Sequence, residues 1–135
     1  MPDPDDFLDT MLPGLVEAEK ALHNGDPRAR TRMWSRTEPL TLFGAWVSAR
    51  GWMAIERVFE RLGERFSQCT SYESEILSAG SSGDLAYTVA LEHTTASVNG
   101  SARAYTLRVT TLFRRENGVW KVFHRHGDEL TEDTS

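Results

Sequence analysis

Hydrophobic spacing changes character about halfway along the chain, and its first half has the spacing of helices. Over residues 5–24, apolar side chains recur three and four positions apart, which predicts an amphipathic helix. Pro13 and Gly14 interrupt that pattern and indicate a kink or a later start. A short second helix carrying Trp34, a strand over 39–46 and a third helix over about 51–66 are predicted to follow.

The second half alternates apolar and polar residues with a period of two, which is the pattern of strands. Glycine-containing turn signals separate four predicted strands, at about residues 69–79, 84–97, 103–115 and 119–127. The predicted order is α-α-β-α-β-β-β-β. Helices followed by tightly connected strands indicate an α+β fold, with three helices packed on one face of a strongly bent antiparallel sheet.

Composition and charge narrow the class of protein. The 135 residues suit one domain, 1–135, and no apolar run is long enough to cross a membrane. The acidic start lacks the pattern of a signal peptide, and one cysteine, Cys69, allows no internal disulfide, so we expect a cytoplasmic protein. The net charge is -5, and lysine and arginine form no stripe, which argues against a nucleic-acid partner. Because there is no glycine-rich dinucleotide loop, we expect no cofactor.

Two sequence blocks carry a resemblance to a known superfamily. "GDLAY" at 83–87 and "RRENGVWKVFHRH" at 114–126, together with the element order, resemble the nuclear transport factor 2-like superfamily. Within it, the chain looks most like SnoaL-like and ketosteroid-isomerase-like bacterial proteins, over a core of about 7–128 that leaves an acidic tail, 129–135. The resemblance implies a cone-shaped barrel with a deep pocket, usually dimeric. It implies no single reaction, because the superfamily includes isomerases, polyketide cyclases, dehydratases and association domains.

The turn at 116–118 allows two registers for the last hairpin. A two-residue turn at Asn117 and Gly118 would put Thr111 opposite His124. A three-residue loop with a bulge at Gly118 would instead put Thr110 opposite His124 and Arg108 opposite His126. We favour the bulged register because a cone requires a bend.

The favoured register predicts which side chains line a pocket. The second hairpin, with Val98 paired to Ser101, puts Leu91 opposite Arg108 and Val89 opposite Thr110. The predicted inner face is mostly apolar with a few polar groups: Tyr87, Val89, Leu91, His93, Thr106, Arg108, Thr110, Leu112, Val122, His124 and His126. Aromatic residues expected to close the pocket are Trp34, Phe43, Trp46 and Phe59. The opposite face would carry Leu107, Val109, Phe113 and Phe123 and serve a dimer.

The candidate chemistry centres on the last strand. His124 and His126 share one face and Asp128 continues it, but a metal site requires three or four ligands, so we expect no metal. His124 or Asp128 would move a proton, and Arg108 or Tyr87 would stabilise an oxyanion. In the alternative, the histidines are hydrogen-bonded wall residues, and Arg108 lies in solvent if the register differs.

The predicted function is binding of a small hydrophobic ligand with a polar or anionic end, by a homodimer. An enzyme of this design would be an isomerase, cyclase or dehydratase that works by proton transfer beside a carbonyl. The alternatives are a non-catalytic association module, which would bind a protein partner through its outer sheet face, and a protein with a vestigial pocket.

Overall fold

The structure, a computed structural model, describes residues 4–131. Three helices cover one face of the molecule: α1 (Pro4–Leu22), α2 (Arg28–Met33) and α3 (Trp52–Arg65). Pro13 lies inside α1, so the helix does not start late as the sequence allowed. Buried side chains on α3, among them Ile55 and Phe59, form the apolar stripe that the spacing predicted.

Six strands form one sheet in the order β2-β1-β6-β5-β4-β3. The strands are β1 (Thr41–Phe43), β2 (Ser48–Arg50), β3 (Phe66–Ser82), β4 (Leu85–Val98), β5 (Ser101–Glu116) and β6 (Val119–Glu129). Neighbouring strands are antiparallel except β1 and β6, which are parallel.

The α+β class and the packing of three helices on a sheet are confirmed, with three differences. The predicted strand over 39–46 is instead a short hairpin, because the chain reverses between β1 and β2. The parallel β1–β6 pairing makes the sheet mixed. The sheet is open at β2 and β3, so it is a cone-like layer and not a closed barrel.

The register of the β4–β5 hairpin is as predicted, with Leu91 opposite Arg108 and Val89 opposite Thr110. The β5–β6 hairpin follows neither proposed register over its whole length. Its turn is the two-residue form, because Glu116 pairs with Val119.

A bulge lies further along β6. Phe113 pairs with Val122 and Leu112 with His124, so Phe123 is the extra residue. Beyond the bulge, Thr110 faces His126 and Arg108 faces Asp128. The favoured register put Thr110 opposite His124 and Arg108 opposite His126, so each observed partner lies two residues further along β6. Thr110, Arg108 and His126 nevertheless share one face of the sheet, as that register predicted.

The helices pack on the opposite face from the one predicted to be inside. Along β4, the buried residues are the small and polar ones: Ala86, Thr88, Ala90, Glu92, Thr94, Ala96 and Ser97. On β5, Val109 and Phe113 are 3% and 0% exposed and belong to the core, which corrects their assignment to a dimer face. Small side chains suit this concave face because a bent sheet brings its inner side chains close to the helices.

Candidate functional site

Four charged side chains meet in the middle of the cone. Glu19 comes from α1, Arg30 from α2, Glu92 from β4 and Arg125 from β6. Glu19, Arg30 and Glu92 are at most 8% exposed, and the Arg125 side chain is 13% exposed. We call these four residues the ion quartet.

The quartet consists of two bidentate ion pairs joined by a longer contact. Arg30 donates Nε to Glu19 Oε2 at 2.8 Å and Nη2 to Oε1. Arg125 donates Nη1 and Nη2 to the two carboxylate oxygens of Glu92, at 2.9 and 2.8 Å. Arg125 Nη2 also lies 3.5 Å from Glu19 Oε1. The four charges sum to zero, and charge-assisted bonds offset the cost of burying them.

Neighbouring charges keep Glu19 and Arg125 ionised despite their burial. Burial alone would raise the pKa of Glu19, but Arg30 and Arg125 outweigh burial and lower that pKa to about 2. Burial alone would lower the pKa of Arg125, and the carboxylates of Glu92 and Glu19 raise it above its usual range instead. Glu19 is therefore a carboxylate at neutral pH and too weak a base to take a proton from carbon.

Two cavities lie on either side of the quartet. The central cavity has a volume of about 40 Å³, and all four members of the quartet lie in its wall. Other residues in the wall include Tyr72, Thr88, Thr111 and Trp34. The loop cavity, about 50 Å³, lies under the loop between β1 and β2, which contributes Trp46. A space of either size takes about three or four water molecules.

The loop cavity has its own hydrogen-bonded pair, His23 and Tyr105. His23 Nδ1 lies 2.6 Å from the Glu19 carbonyl oxygen, which can only accept, so Nδ1 carries the proton. Nε2 of the neutral ring then accepts a hydrogen bond from the Tyr105 hydroxyl at 2.9 Å. Burial lowers the pKa of His23, opposed by Glu19. Burial, reinforced by Glu19, raises the pKa of Tyr105 to about 12. At neutral pH the pair is a neutral imidazole beside a protonated phenol.

Most of the strand residues predicted to line the pocket lie together on the outside of the sheet, whereas Val122, on the other side of the bulge, is buried and lines the central cavity. One outer groove of about 270 Å³ is lined by Val89, Leu91, Arg108, Thr110, His126 and Asp128, together with Leu77. The Arg108 side chain is 59% exposed and forms a bidentate pair with Asp128, so the prediction that Arg108 faces the interior is wrong. Its hydrogen bond lowers the pKa of Asp128.

Other predicted polar site residues also lie on the outer face. Tyr87 is 38% exposed and contacts Ser78 Oγ through its hydroxyl at 3.0 Å. His93 bonds to Thr106 Oγ1 and to Glu75. His124 Nδ1 lies 2.6 Å from Thr41 Oγ1, and partial burial, followed by the charge of His126, lowers the pKa of His124.

Of the four predicted aromatic closers, two line an interior cavity. Trp34 is buried beside the central cavity, and Trp46 lies at the rim of the loop cavity, 48% exposed. Phe59 is fully buried core, with the Arg30 guanidinium 5.2 Å from its ring centre. Phe43 lies outside the cavities, edge-on to His124 and His126.

The sequence interpretation missed the quartet because its members read as surface residues. Strand alternation puts Glu92 and Arg125 on the face opposite the predicted pocket, and Glu19 and Arg30 lie on helices where charge is usually solvated. A usable signal was the run of alanine and threonine on one face of β4, since small residues mark the crowded concave side. The ion pairs of the quartet join residues from four separate elements, so no short stretch of the sequence indicates them.

The described residues form neither a candidate metal site nor a helix that could span a membrane. Within residues 4–131, no group of three or more His, Cys, Asp or Glu side chains is arranged to hold a metal ion. In the same range, no helix is long and apolar enough to span a membrane.

Comparison with known proteins identifies the family. The sequence pattern of the SnoaL-like domain matches residues 15–127. Since that match covers most of the chain, the chain belongs to the SnoaL-like domain family, and the predicted resemblance is confirmed. No curated protein matches the chain.

Solved structures share the fold at low sequence identity. A candidate dehydratase of the NTF2-like family from Streptomyces avermitilis has a TM-score of 0.76 at 15% identity, covering 96% of this chain and 100% of that one. A ketosteroid isomerase-like protein from Erwinia carotovora has a TM-score of 0.72 at 17% identity, covering 93% and 97%. A candidate calmodulin-dependent kinase II association domain from Exiguobacterium sibiricum has a TM-score of 0.70 at 15% identity, covering 98% of each. These likenesses show an NTF2-like cone fold.

Proposed function

We propose that this chain binds a small, mainly apolar molecule with a polar end, inside the cone between the helices and the concave sheet face. The observation that carries the proposal is the ion quartet, because it places four buried charges beside two cavities. Buried ion pairs stabilise a protein no better than well-packed apolar side chains of similar volume. A binding role accounts for charges at a position where packing alone favours apolar residues.

The size of the cavities sets a condition on binding. At about 40 and 50 Å³ they are well below the roughly 300–1,000 Å³ of most ligand pockets. A ligand of more than a few atoms must therefore displace part of the wall. The loop between β1 and β2 is the part we expect to move, since Trp46 and Val47 are 48% and 37% exposed.

A fragment screen by NMR tests the binding proposal. Amide and indole resonances of residues around both cavities should shift with at least one class of small amphipathic fragment, while those of α3's exposed Met53 should not. Shifts confined to the outer sheet face, or no shifts across a chemically diverse library, would exclude binding in the cone.

If the bound molecule is converted, we assign proton transfer beside a carbonyl to His23 and Tyr105. When the Tyr105 hydroxyl turns to donate to an enolate oxygen, His23 Nε2 is released to take a proton from the neighbouring carbon. The assay is loss of the α-proton signal of phenylacetone in deuterated water. Wild type should accelerate exchange over buffer, and His23→Gln should abolish the acceleration. Equal exchange with wild type and with buffer would refute this assignment for phenylacetone.

A second candidate function is association through the outer sheet face, with another copy of this chain as partner. Leu77, Leu85 and Tyr87 are exposed there, beside grooves of about 270 and 380 Å³. The face carries both charge signs in the pair Arg108–Asp128, so two copies can complement each other about a two-fold axis.

Sedimentation of paired variants tests this association. Wild type should be a dimer at micromolar concentration, and Leu77→Asp should be a folded monomer because it places a charge in the apolar groove. Met53→Asp is the control, since Met53 is 72% exposed on the helical side. A monomeric wild type, or an equally dimeric Leu77→Asp variant, would contradict the proposal.

A further inference from the structure

The two cavities differ in the charge they present. Glu19 and Glu92 line the central cavity and not the loop cavity, whereas Arg30 and Arg125 line both. The four charges of the quartet sum to zero, but both carboxylates belong to the wall of the central cavity alone. Arg30 and Arg125 are therefore the two arginines in the wall of the loop cavity, which contains neither carboxylate.

Both arginines have donors outside their ion pairs. Arg30 uses Nε and Nη2 to bind Glu19, so its Nη1 takes no part in that pair. Arg125 uses Nη1 and Nη2 to bind Glu92, so its Nε takes no part in that pair. Tyr105 also lines the loop cavity, but its hydroxyl proton is donated to His23 Nε2. The two arginines therefore supply the donors that match an anionic oxygen ligand.

The remaining wall suits a flat apolar body. Phe66, Leu62 and Val58 line the loop cavity, and Trp46 covers it, with its ring edge-on to Tyr105 at 5.5 Å between centroids. A planar ring between such walls buries apolar surface and keeps its charged end at the arginines.

We propose that the loop cavity is the subsite for a carboxylate or enolate group carried on a flat apolar body, such as an aromatic carboxylate. This inference rests on the proposed binding function. It specifies the charge of the ligand and assigns its charged group to the loop cavity. The central cavity, with both carboxylates in its wall, disfavours the same anion because of charge repulsion.

Gly127 on β6 contributes the space for this subsite. A Cβ added there would lie 3.5 Å from Val109 Cγ2 and 3.6 Å from the Arg108 carbonyl oxygen, which are ordinary contacts. Gly127 is buried and lines the loop cavity, and its backbone is not in the left-handed region that favours glycine. The methyl group of an alanine is therefore tolerated by the fold, and a larger side chain would extend into the ligand space.

The experiment uses three isosteric probes that differ in charge: benzoate, benzamide and benzamidine. Binding to the full chain is followed by NMR titration, with the Trp46 indole N–H as the reporter of the loop cavity. Benzoate should bind at least about tenfold more tightly than benzamide, the factor expected for hydrogen bonds to a charged group, and benzamidine should bind more weakly than both.

Two matched strand variants locate the site. Gly127→Val fills the loop cavity and should weaken benzoate binding at least about tenfold, with Gly127→Ala giving a smaller loss. Ala90→Val fills the central cavity instead and should leave benzoate binding unchanged. The Ala variant supplies the readout if Gly127→Val does not fold.

The other outcomes overturn the inference. Equal or tighter binding of benzamide or benzamidine would refute the anion subsite. Loss of benzoate binding in Ala90→Val but not in Gly127→Val would place the ligand in the central cavity. Either result would leave binding inside the cone intact, whereas only a fragment screen without interior shifts removes the proposed function. Benzoate shifts confined to the Arg108 groove, or no binding of any probe, would also refute the subsite.

Discussion

Removing Arg125 should destabilise the protein far more than removing an arginine with the same bonding on the surface. Arg125→Met keeps much of the side chain's length but leaves the Glu92 carboxylate without the two hydrogen bonds at 2.9 and 2.8 Å. Glu92 is 6% exposed, so bulk water replaces these hydrogen bonds poorly. Glu19 also loses its 3.5 Å contact with Arg125 but keeps Arg30.

The expected magnitude follows from burial. Breaking a buried ion pair by removing one partner costs about 3–5 kcal/mol, a large share of the roughly 5–15 kcal/mol by which domains are stable. The double variant Glu92→Leu, Arg125→Met removes both charges together. It should recover to within about 1 kcal/mol of wild type, because an apolar pair satisfies the site without any unpaired charge.

Urea denaturation monitored by circular dichroism measures these free energies of unfolding. The control is Arg108→Met, which breaks an outer bidentate pair with Asp128 and should change stability little, since the Arg108 side chain is 59% exposed. Equal losses for Arg125→Met and Arg108→Met would refute the argument that burial decides the cost. A double variant no more stable than Arg125→Met would refute the unpaired-charge explanation.

Further predictions concern pH, the last turn and the core. The pKa of Glu19 is about 2 in the folded protein against 4.5 as the ordinary value, so its stabilisation is complete above about pH 4.5 and lost as pH falls towards 2. Glu19→Gln should flatten urea midpoints across that window, and an unchanged slope would contradict the pairing. Because burial lowers the pKa of His23, the free energy of unfolding should fall as pH drops below about 6.5. His23→Gln should remove this part of the pH dependence from the urea midpoints. Gly118 has a φ of 79°, where a Cβ is strained, so Gly118→Ala should lower the free energy of unfolding by about 1–2 kcal/mol, measured by thermal denaturation. An unchanged stability would argue against a left-handed residue in this turn. Phe113→Ala should cost about 3–5 kcal/mol, and a loss below about 1 kcal/mol would contradict full burial.

The amino-acid sequence alone was sufficient to predict the fold class and part of the strand pairing in the sheet. The α+β order and the β4–β5 register, with Leu91 opposite Arg108, follow from periodicity and turn residues that act over a few positions. These patterns also grouped Val89, Arg108, Thr110 and His126 on one face correctly.

Packing decided which face is inside. Alternation along a strand separates two sets of side chains but does not say which set the helices cover, and one bulge at Phe123 reassigns the end of β6. Glu19, Arg30, Glu92 and Arg125 come from four separate elements, so their pairing exists only in the folded chain. The family resemblance implied a cone with a deep pocket, and strand alternation placed Arg108 among its few polar groups. In the folded chain Arg108 lies on the outer face, and the buried charges of the interior are those of the ion quartet.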